Sequence, residues 1–169
     1  INWIPEHIKE GRFGQWLEGA RDWSISRQRF WANTIPVWRC NECSKENVFG
    51  SAIELEKASG VKVTDLHKDV VDEVKFSCSC GGKMLRVLDV LDTWFDSGSV
   101  PFATKQQMPA DFIGEAQDQT RAWFYYMHVL IGALFGKQAF KNAIVTGIVL
   151  AEDGKKMSKK LQNYPDPVV

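Results

Sequence analysis

Four cysteines placed as two close pairs constrain this chain most. Cys40-Asn41-Glu42-Cys43 is one pair, and Cys78-Ser79-Cys80, followed by Gly81-Gly82, is the other. Two tight turns can aim four thiolates at one ion, and the glycines after Cys80 permit positive φ there. In a chain that opens without a secretory signal, such pairs read as a tetrahedral zinc site before they read as disulfides. Cys40, Cys43, Cys78 and Cys80 are therefore the expected ligands of a structural Zn2+, although the second pair has one intervening residue where two are commoner. The alternatives are His67 in place of one sulfur, or four unrelated buried thiols. Residues 39–86 then form a ribbon-type β insert, too small to fold well without its metal. Within it, Ser51–Ala58 reads as a short helix and Val70–Phe76 as a strand.

The rest of the 169 residues has room for one domain around that insert. With 21 basic and 21 acidic side chains, a histone-like mode of nucleic-acid binding is excluded, while a local basic patch is not. Seven tryptophans are many, and several are expected to cluster. Ile1-Asn2-Trp3-Ile4-Pro5 runs straight into charges, unlike a signal peptide. The longest apolar stretch, Ala122 to Phe135, falls short of the roughly 20 residues that span a bilayer. It reads as a buried helix, and the expected location is cytoplasmic, with no membrane partner.

Pro5 to Ala20 reads as a helix. Asp22 to Trp38 interleaves Arg27 and Arg29 with Trp23, Phe30, Trp31 and Trp38, just after Arg21. Such a stretch suits phosphates or bases, or equally Arg stems packed on a Trp-rich surface. The last third has α/β patterning. Val87–Val90 reads as a strand leading to Asp92, Trp94, Asp96 and Ser97. Asp111–Ile113 is a second strand, running into Glu115, Asp118, Gln119 and Arg121. A long helix follows from near Thr120, with Trp123, Met127, Leu130, Ile131 and Leu134 on one stripe. Ala143–Leu150 is a β-branched run suited to a fully buried parallel strand. Strand, helix, strand makes a βαβ unit, and open α/β sheets bind ligands at the carboxyl ends of their strands. Gly147 on the last strand would admit a planar ligand. After the Asp153-Gly154 turn comes Lys155-Lys156-Met157-Ser158-Lys159-Lys160, which suits a polyphosphate; without other context a lysine run is a solvated face.

Lys156-Met157-Ser158-Lys159-Lys160 resembles the K-M-S-K-S loop of class I aminoacyl-tRNA synthetases. Asp22-Trp23-x-Ile25-Ser26-Arg27-x-Arg29-x-Trp31 resembles a segment shared by the isoleucyl and valyl families. Asp92-Thr93-Trp94-Phe95-Asp96-Ser97-Gly98 and the stretch Glu115 to Phe124 look specifically like the isoleucyl-tRNA synthetase family. The valyl enzymes carry serine where Asp96 stands and an apolar run in place of Asp118-Gln119. The wording from Gly147 to Pro167 is most similar to the eukaryotic-type branch. The resemblance runs from Trp3 to Pro167.

This resemblance implies a ligase that activates isoleucine with ATP and Mg2+ to isoleucyl-adenylate and passes it to tRNA(Ile). It implies that Glu115, Asp118 and Gln119 hold the amino group and adenylate, since an ammonium needs acceptors around it. It makes Trp94 and Trp123 walls of the side-chain pocket, and places Gly147 and Ile148 against adenine and ribose. One missing methylene is worth only about 1–3 kcal/mol, isoleucine against valine in this family being itself a standard case, so such a pocket rejects valine poorly. Lys156 and Lys159 match the catalytic lysines on the triphosphate, with Met157 and Ser158 between them in the ATP-binding loop. Ala32, Ala116 and Ala122 stand where the family usually has glycine, and Lys160 where it has serine. No H-I-G-H motif, editing domain or anticodon-binding domain is present. The chain is thus expected to be the C-terminal half of a Rossmann-type catalytic domain, 1–38 with 87–169, carrying the 39–86 insert, inactive apart from the remainder of the synthetase. The alternatives are a valyl-enzyme fragment and a non-enzymatic zinc-ribbon RNA-binding module.

Overall fold

The computed structural model describes residues 1–166 and 168; Pro167, at the end of the stretch with the family resemblance, and Val169 lie outside the described residues. In chain order come β1 (Asn2–Ile4), a π-helical stretch (Ile8–Gly14) running into α1 (Gln15–Glu18), β2 (Ser26–Arg27), β3 (Val37–Cys40) and β4 (Glu46–Val48). Next are α2 (Ala52–Ser59), α3 (Lys68–Val71), β5 (Phe76–Ser77), β6 (Lys83–Arg86), β7 (Val90–Leu91) and α4 (Thr93–Gly98). The chain closes with α5 (Val100–Ala103), β8 (Ala110–Ala116), a 3-10 turn (Gln117–Arg121), α6 (Trp123–Phe135) and β9 (Phe140–Thr146). Two compact units result, Ile1–Arg21 with Ser97–Val169, and Asp22–Asp96. Residues 22–38 and 87–96, expected with the catalytic part, fall in the second unit, because β2 pairs antiparallel with β7 (Ser26 with Leu91, Arg27 with Val90). No helix among the described residues is long and apolar enough to cross a membrane.

The first unit is built on a parallel sheet in the order β1-β9-β8. β8, α6 and β9 form the expected βαβ unit. Along the second half of β9, Ala143 and Val145 are buried while Ile144 and Thr146 are exposed, so one face there carries the core; Phe140, at the strand's start and out of that alternation, is buried as well. The strand ends at Thr146 and does not run on to Leu150: Val149 is 72% exposed and Leu150 52%. They continue a run that reads as strand, but β8 ends at Ala116 opposite Thr146 and offers them no ladder.

Helix α6 starts at Trp123, three residues beyond the expected Thr120, because Gln117–Arg121 winds as a 3-10 turn. Its buried stripe is Phe124, Met127 and Ile131, with Tyr125 beside it, while Leu134 points outward. Trp3 anchors the core, 4.6 Å from Phe13 and edge-on to Phe140 at 5.9 Å. The expected helix from Pro5 is wider than an α-helix over Ile8–Gly14. At Gly14 a Cβ would lie 2.6 Å from the Lys9 carbonyl oxygen, so glycine permits the wide turn there.

The second unit contains an antiparallel sheet, β4-β3-β6-β5, over a core of Trp38, Leu55, Val71, Val74 and Met84. Trp38 donates its indole N–H to the Val74 carbonyl at 2.7 Å. The tryptophans are thus divided, Trp3 in one core and Trp38 in the other. Ser51 caps α2 by accepting the Glu54 N–H at 3.2 Å. The expected strand Val70–Phe76 is instead α3, a turn and the short β5. Val71 and Val74 are the buried pair and Val70 is 43% exposed, a spacing of three that suits a helical turn and not a strand. Val87–Val90 likewise lies mostly outside the ladders, between β6 and β7.

Arg86 explains that shift. Its side chain is fully buried, with Nε on Asp72 and Nη1 on the carbonyls of Ile35, Val87 and Asp89, which pulls the chain after β6 around the guanidinium. Asp72 also accepts from Lys68 at 2.6 Å. Burial alone would raise the Asp72 carboxyl, but its bonds to Arg86 and Lys68 hold it below the ordinary carboxylate range. Asp72→Ala leaves the buried guanidinium without a counter-charge and should destabilise the unit by roughly 3–5 kcal/mol at neutral pH. A lowered folded pKa contributes stability above the unfolded value and loses it as pH falls through the folded one. The gap between the two proteins should therefore narrow below about pH 4, measured by urea denaturation across a pH series.

Candidate functional site

At the carboxyl edge of the parallel sheet, Glu115 pairs with Val145 and Ala116 with Thr146, so Glu115 and Gly147 leave adjacent strands at nearly the same level. Ile4 ends β1 opposite Ile144 on the other side of β9. A Cβ at Gly147 would meet nothing within 4 Å, which leaves room against the backbone for a flat ligand. Ala116 has φ −70 and Ala122 φ −135, so neither position needs glycine for a positive φ.

The turn after β8 is held by a residue that sequence reasoning did not select. Arg12 Nε donates to the Gln117 carbonyl at 3.0 Å and to Thr120 Oγ1 at 2.9 Å. Thr120 is fully buried and donates back to Gln117 O at 2.6 Å. Gln119 Oε1 accepts the Trp123 N–H at 3.0 Å, satisfying a donor at the start of α6, and Gln119 Nε2 donates to Asp118 at 3.3 Å. With the Gln119 oxygen used on the helix, the carboxylates of Glu115 and Asp118 are the exposed acceptors of this edge. Trp123 is half-buried and fixed by its own N–H on the Ser97 carbonyl at 3.0 Å. Arg121 turns away to stack on Trp16, 4.9 Å from the ring centre.

Beyond β9 the chain makes a hairpin turn at Asp153-Gly154. Ala151 N–H donates to Lys155 O at 2.9 Å, and Leu150 bridges to Lys156. Asn163, also unselected from sequence, braces the lysine loop: its Oδ1 takes the Ser158 N–H at 3.0 Å and its Nδ2 reaches Lys156 O at 3.4 Å. Among the described residues the ion pair of the run is Lys155 with Asp153 at 3.2 Å, while Lys156 and Lys159 are exposed without one. A cavity of ≈ 680 Å³ lies beside the loop, lined among others by Val149, Leu150, Met157 and Tyr164. Ile148 is half-buried.

Trp94 and Asp96 belong to the second unit, in α4, with Trp94 37% exposed. Asp92, just before them, accepts from Trp23 Nε1 at 2.9 Å and pairs with Arg27 at 3.1 Å. Arg27 is thus engaged within the fold, whereas Phe30 and Trp31 form an edge-on pair at 5.2 Å and are 53% and 70% exposed.

The four cysteines come together from β3 with its following turn and from the turn between β5 and β6. Cys40 Sγ lies 3.5 Å from Cys80 Sγ and Cys43 Sγ 3.7 Å from Cys78 Sγ, and all four sulfurs lie within 4.8 Å of one another. A tetrahedron with metal–sulfur bonds of about 2.3 Å has edges of about 3.8 Å, so this set fits one thiophilic ion. Gly81 has φ +92, as expected after Cys80. Gly82 serves a different need: its Cβ would fall 2.8 Å from Cys40 Sγ. His67 is outside the group, its ring on Asp65 at 2.6 Å. The Cys80 N–H above all, with hydrogen bonds from the Cys80, Cys40 and Cys43 thiols, lowers the Cys78 thiol to about 6. Cys80 is favoured as thiolate by the Gly82 N–H, yet its three neighbouring cysteines outweigh this and push it up to about 12. Without a cation, four thiolates cannot share so small a volume.

The sequence model of the tRNA synthetases class I (I, L, M and V) matches residues 1–169. The chain is 55% identical, over 99% of its length, to the isoleucine–tRNA ligase of Treponema denticola, of which it covers 16%. It is 51% identical to isoleucine–tRNA ligase 2 of Pseudomonas fluorescens (99% of this chain, 18% of that protein). With the isoleucine–tRNA ligase of Chlamydia abortus the identity is 55% (99% and 17%). The chain therefore spans less than a fifth of the length of these relatives. A solved ternary complex, LeuRS–tRNA–LeuAMS of Agrobacterium radiobacter K84 agnB2, superposes with a TM-score of 0.62 at 22% identity, over 95% of this chain and 25% of that one, and so shares its fold. A parallel βαβ edge followed by a lysine loop, matched by the family over its whole length, makes this chain a member of the class I tRNA synthetases.

Proposed function

We propose that the chain is the second half of the Rossmann-type catalytic domain of an isoleucine–tRNA ligase, with 39–86 as its metal-binding insert. The observation that carries this reading is the parallel register that brings Glu115 and Gly147 to one sheet edge, with the lysine loop following the same strand. In the intact ligase the isoleucine carboxylate attacks the α-phosphate of ATP. The bond from that phosphorus to the bridging oxygen breaks, and pyrophosphate leaves with Mg2+. The isoleucyl group then passes to the end of tRNA(Ile).

Glu115 and Asp118 accept from the substrate ammonium, and Gln119, which also caps α6, holds the adenylate with them. Trp94 and Trp123 contact the isoleucine side chain; Gly147 and Ile148 lie against adenine and ribose. Lys156 and Lys159 stabilise charge as it grows on the phosphate oxygens. Their exposure, with no acidic partner among the described residues, leaves them able to reach it. Met157 seats the loop and Ser158 shapes it through Asn163. The isoleucyl assignment is favoured over the valyl one by Asp96 and Asp118-Gln119, and over a pure RNA-binding module by the ligand-binding edge itself.

Zn2+ on Cys40, Cys43, Cys78 and Cys80 would offset half the charge of the four crowded thiolates and close the ends of the insert. A site with four thiolate ligands has no open position, so its role is structural.

Lys159→Ala in the full-length ligase should slow adenylate formation by roughly 10²–10³, as for loss of one transition-state donor, with isoleucine affinity nearly unchanged. Pre-steady-state kinetics with isoleucine and ATP varied separately test this, and a loss of isoleucine binding with normal chemistry would refute it. Protein purified without added metal should contain close to one zinc per chain by elemental analysis. Gly82→Ala, which drives a methyl against Cys40 Sγ, should lose zinc to a chelator at least about tenfold faster. Absence of zinc after refolding with it would sink the metal assignment.

A further inference from the structure

Asp92 is the most enclosed carboxylate of the second unit, its side chain 7% exposed. A buried charge needs a counter-charge and donors, and both come from one distant segment. Arg27 Nη2 stands 3.1 Å from Oδ1, and the Trp23 indole N–H donates to Oδ2 at 2.9 Å. The other terminal nitrogen of Arg27 is used on the carbonyls of Ser24 and Ser26, at 2.6 and 2.8 Å. The guanidinium is therefore pinned, and it is not available to a phosphate.

The main chain of Asp92 is tied at both ends as well. Its N–H donates to Ile25 O at 2.8 Å, beside the β2–β7 pair. Its carbonyl accepts from Phe95 N at 2.9 Å and Asp96 N at 3.1 Å, which forms the first turn of α4. The Trp23 ring lies 6.2 Å from that of Phe95, and Arg29 donates to Thr93 Oγ1. Asp92, Thr93, Phe95 and Asp96 are thus tied by these bonds and ring contacts, and Trp94 is carried on the turn they define. We propose that Asp92, clasped by Trp23 and Arg27, is a positioning residue for amino-acid selection: it fixes the direction in which α4 presents Trp94. The proposal rests on the reading that Trp94 contacts isoleucine.

The test uses the full-length ligase and measures ATP–pyrophosphate exchange for isoleucine and valine. Asp92→Asn keeps the shape and an acceptor for Trp23 while removing the charge that faces Arg27. It should raise KM for isoleucine about tenfold and reduce discrimination against valine, with KM for ATP within about twofold. Arg27→Gln should have the same effect, and the double variant should be no worse than either, since both act through one pair. Trp23→Phe, which keeps a ring beside Phe95 and removes only the donor, should give a smaller shift of the same kind, and thermal melts identify any variant that fails to fold. If Asp92→Asn and Trp23→Phe fold and leave isoleucine KM and discrimination unchanged, or raise both KM values together, the positioning role is overturned. Trp94→Ala, measured alongside, separates the two layers. An effect of Trp94→Ala without one of Asp92→Asn overturns the clasp alone, whereas no effect of Trp94→Ala on isoleucine overturns the pocket reading and the clasp with it.

Discussion

Parallel pairing of β8 with β9, held in register from Ala110 opposite Phe140 to Ala116 opposite Thr146, is the constraint on which the rest of the first unit depends. Parallel strands cannot be joined by a tight turn, so a crossover is forced, and α6 supplies it. The crossover buries Phe124, Met127 and Ile131 against the sheet, where Trp3 and Phe140 complete the core. It also brings the two polar segments that follow the strands to one edge. A shift of one residue in this register would turn Ala143 and Val145 outward and carry Glu115 away from the level of Gly147. Core and edge are therefore fixed by the same hydrogen bonds.

The second unit solves a different problem. Its sheet is small, and two features that are costly by themselves, a fully buried arginine and four crowded sulfurs, sit at its two ends. Arg86 gathers three carbonyls from two separate loops and is balanced by Asp72. The sulfurs demand a cation. Each feature specifies one arrangement of loops that apolar packing alone would leave loose, since few side chains are available to do it.

Much of this was legible in the sequence where local spacing and tertiary role agree. The cysteine pairs, the Ser51-capped helix, the βαβ order and the Asp153-Gly154 turn belong to that group. Legibility failed where a side chain's partner is remote. Val70–Phe76 has strand composition, yet Val71 and Val74 are buried at helical spacing because of what packs on them. Val149 and Leu150 look like strand, but β8 has already ended. Arg12 and Asn163 carry no motif of their own; what they do is visible only once Gln117, Thr120 and Ser158 are placed beside them. The family resemblance marked Gln119 as a ligand residue without revealing that its oxygen also takes the Trp123 N–H.

The pairing of β1 has a consequence for how the chain is made. Asn2 meets Asn142 across 140 residues of sequence, and β9 is the strand that β1 pairs with. At a synthesis rate of about 5–20 residues per second, β1 would wait roughly 7–28 s for its neighbour to be translated. Residues 22–96 are complete well before then and find their partners among themselves. Vectorial synthesis thus favours an order in which the cysteine-bearing unit matures first, while β1, with Trp3 in it, is made before that unit and enclosed after it.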